Sequence, residues 1–157
     1  MHIEVSSHDQ RLVLWDGARR LADYPVSTAA RGMGEARGSY QTPRGVHYVR
    51  ARIGSDLPLD AVLVGRRWTG EIYTPALGRA HPGRDWILTR ILWLCGLEPG
   101  HNRGGNVDTF RRYIYIHGTP DLDLLGLPAS HGCVRMDSRD VLDLYERVAP
   151  GTLVQID

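Results

Sequence analysis

The sequence predicts a mainly β domain with one clear helix near its C-terminal end. Three observations carry that expectation. Short β-prone runs alternate with Gly, Pro, Asn and Asp turn residues along most of the chain. Asp16-Gly17 sits between two such runs as a hairpin signal. Val141, Leu142, Leu144, Tyr145 and Val148 recur at helical spacing, and no other segment does so as cleanly.

Taken in order, Ile3 to Ser7 and Arg11 to Trp15 read as strands, and Asp16-Gly17 turns the chain into a third at Arg20 to Val26. Gly32 to Gly45 is a glycine-rich loop ending in the turn Thr42-Pro43-Arg44-Gly45, ahead of a strand at Val46 to Ile53. Val62 to Arg67 and Glu71 to Tyr73 follow as strands. Trp86 to Cys95 is a continuous apolar run that periodicity cannot assign to strand or helix. Gly96 to Asn106 is loop, and Tyr113 to Ile116 is a strand that delivers His117 at its end. Asp137 or Ser138 caps the helix, Pro150-Gly151 stops it, and Thr152 to Ile156 closes the chain as a strand. No repeat or linker composition interrupts residues 1–157, so a single domain is expected.

Composition narrows the function classes. A net charge of +1 lacks the strong basic excess of a nucleic-acid binder, so no nucleic-acid partner is expected. All nineteen basic residues are arginine, a bias that base composition explains and that matters chemically only at Arg135, beside a cysteine. Cys95 and Cys133 do not form a disulfide framework, and no apolar run is long enough to span a membrane. The N-terminus lacks a signal-peptide pattern, so a cytoplasmic location is expected; an upstream export segment would move it to the periplasm or envelope.

Reactive chemistry concentrates in one stretch. His117, Gly118 and Thr119 precede Ser130-His131-Gly132-Cys133-Val134-Arg135, which places a cysteine, two histidines and an arginine within nineteen residues. Cysteine is a strong nucleophile and histidine exchanges protons near neutral pH, the pairing that acyl transfer through a thioester requires. Cys133 lies a few residues before the predicted helix, whose N-terminus would favour a thiolate. Full ionisation is worth at most about 2 kcal/mol, whereas one aimed oxyanion donor is worth about 2.7–4 kcal/mol, so the amides at Gly132 and Cys133 matter as much as the base.

Each residue also has a plainer reading. Cys95 lies in an apolar run and reads as a buried small hydrophobe. Ser130 lacks the flanking glycines of a nucleophile elbow and suits turn hydrogen bonding. His2, His8, His47, His81 and His101 read as surface residues. A zinc site from His117, His131 and Cys133 lacks a fourth ligand, and no metal or other cofactor is expected. On the residues alone, His117 and His131 are even candidates for the base.

The segments Ile116-His117-Gly118-Thr119 and Gly126 to Met136 resemble the signature of the L,D-transpeptidase catalytic domain (YkuD-type). That signature is a histidine, a spacer, then Ser/Thr-His-Gly-Cys, an apolar residue and Asn or Arg; Thr42-Pro43-Arg44-Gly45 resembles the family's earlier Thr-Pro-x-Gly turn. The resemblance implies a β-sandwich-like domain and thioester chemistry at the L,D bond of peptidoglycan stem peptides, typically between diaminopimelate and D-alanine. It implies Cys133 as nucleophile, His117 as base, the Gly118 carbonyl as orienter of the imidazole, and His131 with the Gly132 and Cys133 amides around the oxyanion. Arg135 would hold the end of the site in order or meet a substrate carboxylate, with Ser130 and Thr119 also on the substrate side. Small members of this kind resemble cytoplasmic L,D-carboxypeptidases of peptidoglycan recycling. Hydrolysis of tetrapeptide by a monomer is therefore expected, with cross-linking transpeptidation as the alternative and an inactive cell-wall-peptide binding module as a second. A thiol redox role lacks a resolving cysteine near Cys133.

Overall fold

In a computed structural model describing residues 1–157, the N-terminal hairpins set the pattern. Strands β1 (His2–Ser6), β2 (Arg11–Asp16) and β3 (Arg19–Pro25) pair antiparallel in sequence order. Asp16 faces Arg19, so the two-residue turn is Gly17-Ala18, with Gly17 at φ 59°. Ile3, Val5, Leu12 and Leu14 alternate along β1 and β2 and are all buried, the period-2 signature of a sheet with one face on the core.

Seven further strands extend this sheet: β4 (Gly45–Ile53), β5 (Ala61–Val64), β6 (Arg67–Ile72), β7 (Ile87–Gly96), β8 (Tyr115–Thr119), β9 (Val134–Asp137) and β10 (Leu153–Ile156). The hydrogen-bonded order is β3-β2-β1-β10-β4-β7-β5-β6, with β8 joined to β7 and β9 to β8. The sheet curls around its own core. The chain is therefore mainly β, as the turn-punctuated runs predict. Helix α1 (Pro75–Ala80) is a short surface element, while α2 (Ser138–Arg147) buries Val141, Leu144 and Tyr145 against β7, β8 and β9. Asp137 caps α2 by accepting the Arg139 N–H at 2.8 Å. No helix is long and apolar enough to cross a membrane.

Four differences from the sequence reading have physical causes. The apolar run before Cys95 is strand, because β7 pairs with β4, β5 and β8 and leaves almost no side chain exposed. Gly65 and Arg66, at φ 56° and 64°, turn the chain between β5 and β6, so Arg67 opens a new strand. Tyr113 adopts φ 57° and lies outside β8, which places His117 at the strand's centre, not its end. Val134 to Asp137 forms β9, parallel to β8, in a segment to which the sequence reading assigns no element.

His47 is a correction of a different kind: it is fully buried on β4. Its Nδ1 lies 3.0 Å from the Gly45 carbonyl and its Nε2 3.0 Å from the Thr109 hydroxyl, which suits a neutral ring donating through Nδ1 and accepting at Nε2. Burial pushes its pKa down to about 4. The unfolded chain then binds a proton between pH 6.5 and 4 that the native chain does not. Stability is present above the unfolded value and falls with pH across that window, by about 3 kcal/mol for this group. Urea denaturation across pH 4 to 7 will show this slope, and His47→Gln will reduce it, leaving the part that buried His117 contributes. An unchanged slope in the variant would refute the assignment.

Candidate active site

The site is built where β8 lies between β7 and β9. His117 faces Ile91 of β7 and Arg135 of β9 across the ladders. The β7–β8 register slips between Leu88 and Ile91, so Thr89 and Arg90 bulge opposite the His117-Gly118 step. Thr89 holds φ 73°, a conformation costly for a β-branched residue. The bulge brings strands so close that a Cβ on Gly118 would stand 2.6 Å from the Leu88 carbonyl oxygen. Only glycine fits there. The Gly118 carbonyl accepts from His117 Nδ1 at 2.8 Å, which leaves Nε2 with the free lone pair.

The cysteine loop is held from beneath. Ser130 Oγ donates to the Cys133 carbonyl at 2.6 Å and accepts the Gly132 N–H at 3.2 Å. Gly132 sits at φ 132°, next to the Gln41 carbonyl. Thr42, from the Thr-Pro-x-Gly turn, donates its hydroxyl to the Gly132 carbonyl at 2.9 Å and accepts the Ala29 N–H at 3.0 Å. The Gly132 amide is thus already engaged by Ser130, whereas the Cys133 amide has no loop or turn partner. Of the two amides expected around an oxyanion, Cys133 supplies the available one.

Cys133 Sγ and the His117 ring line one cavity of about 300 Å³ together with Asp85, Arg66, Arg112 and Arg135. The thiol is not hydrogen-bonded to the imidazole. It donates to the Tyr113 carbonyl at 3.4 Å and accepts the Tyr115 N–H at 3.3 Å. Burial raises the thiol pKa and lowers the imidazole pKa. Both groups are therefore neutral at pH 7. The expected help from the helix N-terminus is missing, because β9 intervenes and its four residues span about 13 Å. A helix-terminal field falls off within its first turn.

Three more sequence expectations change place. Ser130 is buried inside the loop it braces and does not face the cavity. Thr119 closes β8, spends its hydroxyl on the Asp121 N–H at 3.2 Å, and lines a separate cavity with Ser138. Arg135 has a side chain only 9% exposed and lies 3.2 Å from Asp85 and 3.9 Å from Asp121, so its charge is already answered. His131 is exposed on the cavity wall, and Cys95 is buried in β7.

Sequence reasoning missed Asp85, Arg112, Arg66 and the bridging function of Thr42. Arg112 donates to the Gly34, Glu35 and Gln41 carbonyls and to Ser39 Oγ, at 2.6 to 3.3 Å. It ties the loop between β3 and β4 to the cavity. The only signal in the chain was the Arg111-Arg112-Tyr113 triplet just ahead of β8, which nothing local distinguishes from surface charge.

Comparison with known proteins converges on one family. Residues 1–156 match the family model described as YkuD, L,D-transpeptidase catalytic domain. "Probable L,D-transpeptidase YbiS" of Escherichia coli (strain K12) is 29% identical over 123 residues, covering 74% of this chain and 40% of that protein. The chain thus spans well under half the length of this curated relative. Among solved structures, an L,D-transpeptidase from Mycobacterium smegmatis superposes with a TM-score of 0.61 at 16% identity, covering 99% of this chain and 57% of that one. L,D-transpeptidase 3 from Mycobacterium tuberculosis gives 0.60 at 16% identity over 99% and 60% of the two chains. These likenesses establish a shared fold.

Proposed function

The chain belongs to the L,D-transpeptidase catalytic-domain family, and from that membership we propose that it cleaves the L,D peptide bond of peptidoglycan stem peptides through a thioester on Cys133, which water then resolves. The observation that carries this reading is the shared cavity: a thiol, an imidazole with its Nε2 lone pair free, and the unengaged Cys133 amide meet there. Cys133 Sγ attacks the carbonyl of the L-centre as His117 Nε2 takes the thiol proton. The Cys133 amide, with His131 at the wall, stabilises the oxyanion. Collapse breaks the peptide bond, and His117 hands its proton to the departing D-residue amine. Water adds to the thioester, His117 takes its proton, and the C–S bond breaks to restore the thiol.

We favour hydrolysis because water needs no acceptor subsite beside the thioester. Asp85, His131 and Arg135 also line a neighbouring polar cavity of about 360 Å³, and the Arg135–Asp85 ion pair stands between the two. The two cavities adjoin along these residues. Such a hydrolase fits the recycling of soluble muropeptides. Cross-linking is the second reading, favoured by the relatives' names as transpeptidases. Mass spectrometry after incubation with tetrapeptide in ¹⁸O water decides between them. Labelled tripeptide and free D-alanine are expected; dimers without tripeptide release would sink the hydrolase reading.

A further inference from the structure

Of the three arginines lining the cysteine's cavity, two are already committed. Arg135 is paired with Asp85 and Asp121, and Arg112 spends its guanidinium on the carbonyls of the loop between β3 and β4. Arg66 is different. It forms no ion pair with any carboxylate of the chain, and its one side-chain hydrogen bond runs from one terminal nitrogen to the Tyr115 hydroxyl at 3.0 Å. Its remaining guanidinium donors are free.

Arg66 is nevertheless held in place. Its guanidinium lies 4.6 Å from the Trp93 ring centroid and 5.1 Å from that of Tyr113. Trp93 is itself clamped by Phe110, stacked at 4.0 Å. The tight turn at Gly65-Arg66 carries it to the rim of the cavity that contains Cys133. A guanidinium fixed at the cavity rim by two aromatic rings, with unspent donors, is the geometry that recognises a planar carboxylate. Asp85, the one carboxylate lining the cavity, is occupied by Arg135, so no internal anion competes.

We propose that Arg66 binds a free carboxylate of the peptide whose carbonyl Cys133 attacks, and so selects carboxylate-bearing stem peptides over their carboxamide forms. This deepens the reading above and rests on it for the identity of the peptide. Of the two roles the resemblance implies for Arg135, its ion pairs with Asp85 and Asp121 fit the ordering one, which leaves carboxylate reading to Arg66.

The test reads binding without turnover. The Cys133→Ala protein is titrated calorimetrically with the tetrapeptide L-Ala-γ-D-Glu-diaminopimelate-D-Ala and with analogues in which each carboxylate in turn is a carboxamide. One analogue is expected to bind about tenfold or more weakly than the parent. Arg66→Met should impose the same loss on the parent and none further on that analogue, while Arg66→Lys keeps part of the affinity. The proposal is overturned if Arg66→Met weakens every peptide equally or none, or if the parent peptide does not bind. Carboxylate-coupled binding with no cleavage by the intact protein would strike the hydrolase reading and leave Arg66 standing. Cleavage with no coupling would do the reverse.

Discussion

Replacing Cys133 with alanine will reduce peptide turnover by at least about 10³-fold while the protein stays folded. The reaction proposed above has no other route to a covalent intermediate, since Ser130 is buried and committed to the loop, and Cys95 lies in β7. The structural cost is modest. The thiol makes two sulfur hydrogen bonds to main chain and packs beside Leu63, Ile91 and Tyr115. Losing them leaves the Tyr115 N–H short of a partner, worth about 1–3 kcal/mol. That corresponds to a fall of a few degrees in Tm for a domain of this size. Product analysis and a thermal melt on the same sample separate the two effects. Residual turnover near the parent rate would rule out the thioester route; a collapsed melt would show that the thiol is structural.

The sequence made the strands legible wherever local chemistry decided them. Alternation along Ile3-Val5 and Leu12-Leu14, the Asp16-Gly17 signal and the helical spacing from Val141 to Val148 each report on a few neighbouring residues. Legibility failed where distant partners decided. Trp86 to Cys95 became strand because three other strands pair with it. Val134 to Asp137 is too short and too polar to announce itself and exists because β8 runs beside it. The core of the site followed the same rule. His117, Gly118, Gly132 and Cys133 stand close in sequence, and their grouping could be read directly. Asp85 reaches Arg135 from 50 positions away, Arg112 reaches Gln41 from 71, and Thr42 reaches Gly132 from 90. No window-based pattern carries those contacts. The burial of His47 is illegible for a related reason: polar residues are usually exposed, and only tertiary partners at Gly45 and Thr109 make its burial tolerable.

Substituting His117 by glutamine will lower kcat by about 10²–10⁴-fold and remove the acid limb of the pH profile. Glutamine keeps an amide near the Gly118 carbonyl but has no lone pair basic enough to take a thiol proton. The pH dependence of the parent follows from the directions of the two shifts. Burial lowers the imidazole pKa, so the base stays neutral as pH falls and fails only well below the ordinary histidine value of about 6.5. Burial raises the thiol pKa, so thiolate accumulates only above the ordinary cysteine value of about 8.5. An ion pair of thiolate and imidazolium would need both shifts reversed. Alkylation of Cys133 by iodoacetamide, followed by peptide mapping to exclude Cys95, tests this directly. Its rate is expected to climb through pH 9, whereas a preformed ion pair would give a plateau from about pH 6 upward. A plateau would mean that the thiol leaves the Tyr113 carbonyl for His117 before any substrate arrives. A climbing rate places that proton transfer in the attack itself, which is the step His117→Gln removes.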